Sequence, residues 1–368
     1  MAVVDLAVII PTRDRVALLQ ATLDRLGLVS IAGLSTEVYI VDNGSSEPVG
    51  DSIPMHRLSN GWTVSVLRND ANLGAAGRNV ACARTDARWA LMLDDDSVVP
   101  ADAADSVGAL IRSLDGRPDV FAAGGRITLP DGRHEAGGVP EVFVGCGALV
   151  RVDVFNRLGG YDGAFQYYAE EYDLCARAIA SGYRIVHDAR LPVVHLKAGL
   201  NRDMNRILRL LVRNNGWVTA RYAPTSLIDD ELARVVERYG QIAVKEGAEK
   251  GFEEGVDELR ATVGQQKRTP LTLEQYERFR GTAAVRAWLG NEVKRAGVTR
   301  VQLVGQGKGV DVVVRVLNAC GVTVETGDSE ADACDCAVIG TISPGPMEDA
   351  AAEYEDQFRV VLRPWEGL

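Results

Sequence analysis

Short apolar runs alternate with amphipathic stretches through the first third of the chain, a rhythm that predicts βαβ units and a mostly parallel sheet. Val3–Ile10, Val38–Val41, Val64–Leu67 and Trp89–Leu93 are dense in aliphatic residues and predict strands. Between them Val16–Leu26 and Ala75–Ala83 have helical spacing, and a further helix is expected over Ala101–Leu114. After Pro118 the style changes. Val120–Thr128 and Val142–Val150 predict strands around a glycine-rich loop from Pro130 to Pro140, in the manner of antiparallel additions. Residues 170–181 fit a helix, Tyr183–Val186 a strand and Asn201–Arg221 an amphipathic helix. From Ala223 to Gly297 the pattern is helical and charge-rich, with helices expected over Leu232–Tyr239, Val244–Val263 and Leu273–Leu289. A new βα pattern then begins at Arg300 and runs to the end, with Ala337–Gly340 as another strand. The expected organisation is an α/β domain over 1–222, a helical extension over 223–297 and a small Rossmann-like α/β unit over 298–368.

Composition narrows the function. The 368 residues are 46% hydrophobic and carry a net charge of −11, enough apolar material for a large core but no basic stripe for nucleic acid. The chain opens into a strand pattern without the basic start and cleavage site of a secretory leader. No apolar run approaches the roughly 20 residues of a spanning helix. Six cysteines are scattered without a CxxC pair, and Cys334-Asp335-Cys336 is too little for a zinc site. These features together lead us to expect a cytoplasmic protein with free thiols, able also to work peripherally at a membrane surface.

The chemistry collects where strands end. The first strand runs into Pro11-Thr12-Arg13-Asp14, the second into Asp42-Asn43-Gly44-Ser45, the third into Asn72-Leu73-Gly74 and Gly77-Arg78-Asn79, and the fourth into Asp94-Asp95-Asp96. Any one of these loops can be read as turn chemistry or a helix entry. Four in register at one sheet edge point instead to a ligand, since open α/β sheets bind at the carboxyl ends of their strands. Three adjacent carboxylates repel one another, and a divalent cation such as Mg²⁺ or Mn²⁺, held together with a phosphate, relieves the repulsion.

The order Ile10-Pro11-Thr12-Arg13, Val41-Asp42-Asn43-Gly44-Ser45, Asn72-Leu73-Gly74 and Leu93-Asp94-Asp95-Asp96 resembles the family 2 glycosyltransferases, which have a GT-A fold. Gly145-Cys146-Gly147, Gly159-Gly160-Tyr161-Asp162 and Glu170-Glu171-Tyr172-Asp173 extend the resemblance, which covers residues 3–222. It implies an inverting transfer from a nucleotide-sugar donor, with UDP-sugar favoured, to an acceptor hydroxyl on a small molecule, a lipid-linked carrier or a polysaccharide. It also implies Mn²⁺ or Mg²⁺ on the diphosphate. By position Asp96 and His195 would hold the metal, with Asp94 and Asp95 beside the nucleotide. Asp42 would read the base, and Pro11, Thr12, Arg13, Asn72, Gly74 and Arg78 would surround the donor.

Glu171 matches the position of the base that takes the acceptor's proton, and Glu170 would orient the acceptor. The family more often has aspartate in this pair, so the extra methylene changes the reach. Gly145, Cys146 and Gly147 would border the acceptor. His187 competes with His195 as a ligand, and Trp217 reads as core. The alternatives are a sugar-nucleotide nucleotidyltransferase, disfavoured by Pro11-Thr12-Arg13-Asp14 after the first strand, and a non-catalytic nucleotide-sugar-binding protein.

Val304-Gly305-Gln306-Gly307-Lys308-Gly309-Val310, with Glu325 downstream, partly meets a dinucleotide fingerprint. Val310 stands where the third glycine belongs, so a structural or interaction module is the better reading than a nicotinamide site. Oligomeric state stays open, with this unit as a surface for a homodimer.

Overall fold

The computed structural model describes residues 4–53, 55–197, 203–326 and 336–367. Val3, Asn201, Cys334 and Asp335, which enter the expectations above, lie outside the described residues. A single eight-stranded sheet organises the first half of the chain. Its strands are β1 (Leu6–Thr12), β2 (Thr36–Asp42), β3 (Thr63–Arg68), β4 (Trp89–Met92), β5 (Ser97–Val98), β6 (Val120–Thr128), β7 (Ala148–Arg151) and β8 (Arg184–His195), in the spatial order β3-β2-β1-β4-β7-β6-β8-β5. The first four pair in parallel. Strand β7 enters antiparallel to both β4 and β6, and β8 runs parallel to β6. The sheet is therefore mixed, as expected of antiparallel additions after Pro118.

Alternation along β1 shows how the sheet is buried. Leu6, Val8 and Ile10 face one core, and Ala7 and Ile9 face another. Helices α1 (Val16–Leu26), α2 (Val49–Ser52), α3 (Arg78–Arg84), α4 (Ala104–Asp115), α5 (Val152–Arg157) and α6 (Glu170–Ala180) clothe the two faces. Leu19, Leu23 and Leu110 seal the first, Cys82, Phe155 and Leu174 the second.

Helices α7 (Met204–Tyr222), α8 (Ile228–Glu246), α9 (Glu249–Thr262), α10 (Leu273–Phe279) and α11 (Thr282–Ala296) form the helical middle region. A second sheet follows, with β9 (Arg300–Val304), α12 (Val310–Ala319), β10 (Thr323–Glu325), β11 (Cys336–Ile339), α13 (Pro344–Tyr354) and β12 (Val360–Leu362). Its order is β10-β9-β11-β12, all parallel. This sheet does not hang free. The apolar cluster containing Ala7 and Phe155 continues through Trp217 to Val301, Val338 and Trp365. Asp349 of α13 accepts from the His134 amide at 3.0 Å, and Ser343 Oγ donates to the Gly137 carbonyl at 2.5 Å. No helix among the described residues is long and apolar enough to cross a membrane. Cys82, Cys146, Cys175 and Cys320 carry free thiols, as expected.

Several boundaries differ from the sequence reading, each for a local reason. The helix expected over Ala75–Ala83 begins only at Arg78, after a 3₁₀ turn over Gly74–Gly77. Gly74 sits at φ +60, with Gln166 so close that an added Cβ would lie 1.9 Å from its carbonyl oxygen. The strand expected over Val142–Val150 is reduced to Ala148–Arg151, because the Gly145 amide is taken by the Glu171 carboxylate rather than by a neighbouring strand. The short strand expected at Tyr183–Val186 extends to His195, through a register shift opposite Gly125 and Arg126. The stretch Leu273–Leu289 is two helices, broken at Gly281 with φ +79.

Asp173 locks α6 to α7. Its buried carboxylate accepts from Arg177 at 2.7 Å, Arg221 at 2.8 Å and the Tyr222 hydroxyl at 2.8 Å. Removing it leaves Arg177 without a carboxylate and Arg221 with Asp162 as its remaining carboxylate partner among the described residues. Asp173→Ala is therefore expected to cost about 3–5 kcal/mol, the usual loss when one partner of a buried ion pair goes. Guanidinium denaturation reads this as a lowered midpoint, and an unchanged midpoint would contradict it.

Candidate active site

The carboxyl ends of β1 and β4 open on a cavity of about 890 Å³. Pro11, Thr12, Arg13, Asn72, Gly74, Arg78, Asp94, Asp95, Asp96, Gly145, Cys146, Glu170, Glu171 and His195 all line it. Asp42 and Gly147 do not. The Asp42 carboxylate is turned into the fold, where it accepts from the Ser45 amide at 2.8 Å, the Val49 amide at 3.2 Å and Arg68 at 2.7 Å. Burial works against its charge, but those bonds prevail and hold its pKa below the ordinary value. Gly147 packs on Ile127 and Val193 instead.

Each aspartate of the triplet has its own cationic neighbour. Asp94 keeps its carboxylate 38% exposed toward the cavity and pairs with Arg78, which also donates to the Leu93 carbonyl at 3.0 Å. Asp95 accepts from Thr12 Oγ1 at 2.7 Å and pairs with Arg15 at 2.7 Å. Burial, with its neighbours Asp96 and Asp94, outweighs these partners and pushes its pKa up to about 6. Asp96 lies 3.0 Å from Arg15 and 3.3 Å from His195 Nε2. Burial opposes the Asp96 charge, but the His195 and Arg15 contacts bring its pKa down to about 2.

His195 is clamped from its other side by Glu135, 2.8 Å from Nδ1, and Glu135 in turn pairs with Lys197 at 3.0 Å. Burial disfavours the imidazolium, yet Asp96, Cys146 and Glu135 push its pKa up to about 12. Ligand atoms of Asp94, Cys146 and His195 lie within 4.8 Å of one another. Carboxylate oxygens with one imidazole suit Mn²⁺, which would take the place of the His195 proton on binding, and the open face of Asp94 leaves room for a phosphate oxygen. The Cys146 thiol suits softer ions, and burial pushes its pKa up. His187, the competing histidine, is packed away: its ring lies tilted against Trp365 at 5.7 Å and burial pushes its pKa down to about 4. Trp217 is also core, with its indole N–H donating to Thr262 at 2.8 Å.

Glu170 and Glu171 open α6 on the far wall. The loop before them is strained, with Gln166, Tyr168 and Ala169 at φ +61, +70 and +67. Asn214 holds it there, donating through Nδ2 to the carbonyls of Phe165, Tyr167 and Tyr168 at 3.0, 2.8 and 2.8 Å. Glu171 accepts from the Gly145 amide at 3.1 Å. Glu170 Oε2 is buried with no hydrogen-bond partner among the described residues. Burial, then the neighbouring Glu171, raises the Glu170 pKa well above the ordinary carboxylate range, and burial raises Glu171 as well. Two such carboxyls side by side share protons, one staying neutral while the other ionises.

Sequence reading singled out Arg13 and missed Arg15, the residue that spans two aspartates. The same run, Arg13-Asp14-Arg15, gave no sign of which arginine turns inward. Glu135, in the glycine-rich loop, and Asn214, on a helix read only as amphipathic, were also missed. The C-terminal glycines serve packing: a Cβ on Gly307 would lie 2.9 Å from Thr341 and one on Gly309 2.5 Å from Ile342. Glu325 is engaged by Arg300. Arg15→Met leaves Asp95 and Asp96 short of a partner and is expected to lower stability at neutral pH by about 3 kcal/mol. Thermal unfolding checks this, and an unchanged midpoint would show that the triplet does not need Arg15.

Residues 7–159 match the sequence profile described as Glycosyl transferase family 2. No curated protein sequence matches the chain. Among solved structures, Staphylococcus aureus TarS 1–349 is 15% identical over 86% of this chain and 90% of its own, with a TM-score of 0.50. GalNAc-T7 with UDP, GalNAc and Mn²⁺ is 15% identical over 72% of this chain and 58% of its own, with a TM-score of 0.50. The mannosyltransferase PcManGT from Pyrobaculum calidifontis, in complex with GDP-Man and Mn²⁺, is 16% identical over 77% of this chain and 80% of its own, at 0.47. At these identities the likeness is one of fold. Sheet, loops and profile agree: the chain carries a glycosyl transferase family 2 domain of the GT-A fold.

Proposed function

We propose that the protein is an inverting, metal-dependent glycosyltransferase that moves a sugar from a nucleotide-sugar donor to an acceptor hydroxyl, with Glu171 as general base. The observation that carries this reading is the pairing of two features across one cavity. A triplet of aspartates with His195 lies on one wall, and buried Glu170 with half-buried Glu171 on the other. UDP-sugars are the donors we favour, in keeping with the UDP that GalNAc-T7 holds in the same fold.

Chemically, the Glu171 carboxylate takes the proton from the acceptor hydroxyl as that oxygen attacks the anomeric carbon. The bond from that carbon to the diphosphate oxygen breaks, and the nucleoside diphosphate leaves. Attack from the opposite face turns an α-linked donor into a β-linked product. Asp96 and His195, with Asp94 beside them, would hold a divalent cation, whose chemistry there would be to neutralise charge on the leaving diphosphate. Glu170, kept neutral by its burial, donates its proton as a hydrogen bond and so can orient the acceptor. The Gly145 amide fixes Glu171, and a side chain at that position would displace it, since an added Cβ would lie 2.6 Å from the carboxylate oxygen.

The test is nucleoside diphosphate release from a panel of UDP-, GDP- and dTDP-sugars with Mn²⁺ and with EDTA. Glu171→Gln should lower turnover by about 10²-fold or more. Activity at wild-type level in that variant would leave a nucleotide-sugar-binding site whose base lies elsewhere. Because burial raises the Glu171 pKa, the base is protonated and idle at low pH. The rate is expected to rise with pH through a midpoint above the ordinary glutamate value of 4.5, and Glu171→Gln should flatten that limb. A rate that falls over the same range contradicts the assignment.

A further inference from the structure

The cations around the cavity are not all accounted for by its aspartates. Arg13 pairs with Asp14, Arg15 with Asp95 and Asp96, Arg78 with Asp94, and Lys197 with Glu135. Two lining cations, Lys308 and Arg206, form no ion pair among the described residues. Lys308 comes from the C-terminal sheet, in the glycine-rich turn between β9 and α12. Its backbone is fixed there: the Ile342 amide donates to its carbonyl at 2.9 Å and Thr341 Oγ1 at 3.3 Å. The side chain then crosses to the glycosyltransferase domain. Its Nζ donates to the Tyr172 hydroxyl at 2.8 Å and lies 5.2 Å from the centre of that ring.

Tyr172 directly follows Glu171, so the ammonium stands on the wall that carries the glutamate pair. Tyr239 of α8 and Ile207 and Leu211 of α7 line the same cavity. Arg206 projects from the exposed first turn of α7, where Asp203 is spent on capping the helix and accepts from the Arg206 amide at 3.1 Å. A half-buried ammonium with no carboxylate in ion-pair contact among the described residues is costly: burial, with Arg238 and Arg280 nearby, pushes its pKa down to about 8 against the opposing pull of Tyr239 and Glu171. An anionic ligand would remove that cost.

We propose that Lys308 makes the C-terminal unit part of the acceptor site, and that the acceptor carries an anionic group, a carboxylate or a phosphate, which Lys308 binds beside Glu171 with Arg206 at the cavity mouth. This rests on the glycosyltransferase reading above and names the acceptor class for it. It also gives the glycine-rich turn its purpose: Gly307 and Gly309 let the turn pack on Thr341 and Ile342, which fixes the lysine that crosses the interface.

The experiment is calorimetric titration of the UDP- and Mn²⁺-saturated protein with methyl β-D-glucuronide, glycerol 3-phosphate and neutral methyl β-D-glucoside. At least one anionic probe should bind about tenfold or more tighter than the glucoside, the scale of one charge-assisted hydrogen bond. Which one binds tells carboxylate from phosphate. Lys308→Met should abolish the preference and Lys308→Arg should keep it, while UDP affinity is the same in both variants and shows that they are folded. Equal binding of all three probes, no binding of either anion, or a preference that survives Lys308→Met would overturn the proposal. So would a loss of UDP affinity in Lys308→Met, which would assign the lysine to the donor. The titrations are repeated without UDP and Mn²⁺. If UDP does not bind but the anion preference is present and depends on Lys308, the anion site stands while the glycosyltransferase reading fails and takes the acceptor role with it.

Discussion

Three carboxylates at the end of one strand cannot share a fold unless positive charge is brought to each of them. Here each cation comes from a different part of the chain: Arg78 from the start of α3, Arg15 from the turn before α1, and His195 from the end of β8. Satisfying the triplet therefore fixes the relative placement of three segments far apart in sequence. It also leaves Asp94 as the carboxylate with an open side. The cavity floor is a consequence of that compensation. Glu135 and Lys197 continue the alternation of charge outward from His195.

The opposite wall is governed by strain and burial rather than by paired charge. Asn214 spends one amide group on three carbonyls of a loop whose backbone angles are unfavourable, and Asp173 ties the helix that follows to α7. Together they hold Glu170 and Glu171 in a place that raises the proton affinity of both. The two walls are thus complementary. One is rich in ionised groups and fit for phosphate and metal, the other short of solvation and fit for moving a proton. The C-terminal sheet closes the second wall with Lys308, so the helical region and the small sheet share in shaping the cavity.

Much of this was legible in the chain. The first four strands follow from short, dense apolar runs and α1 from helical spacing, and α1 begins and ends where that spacing does, at Val16 and Leu26. Loops at the strand ends were found because Asp, Asn and Gly collect there. Contacts set by distant partners were not legible. The Val142–Gly147 stretch was read as part of a strand, yet its Gly145 amide is claimed by Glu171 on α6. Asp42 has the motif but turns inward, because Ser45, Val49 and Arg68 saturate it. Lys308 meets Tyr172 across 136 positions of sequence, inside a turn whose glycines resemble a dinucleotide loop. Periodicity reports what one segment needs, and these three features depend on what another segment offers.

The most direct measurement is calorimetric titration of UDP into the protein with and without Mn²⁺. The account predicts binding that is strengthened by Mn²⁺ and lost in Asp96→Ala, since both the ion and the diphosphate draw on that wall. Binding that is indifferent to the metal, or no binding of UDP, GDP or dTDP under either condition, would contradict it.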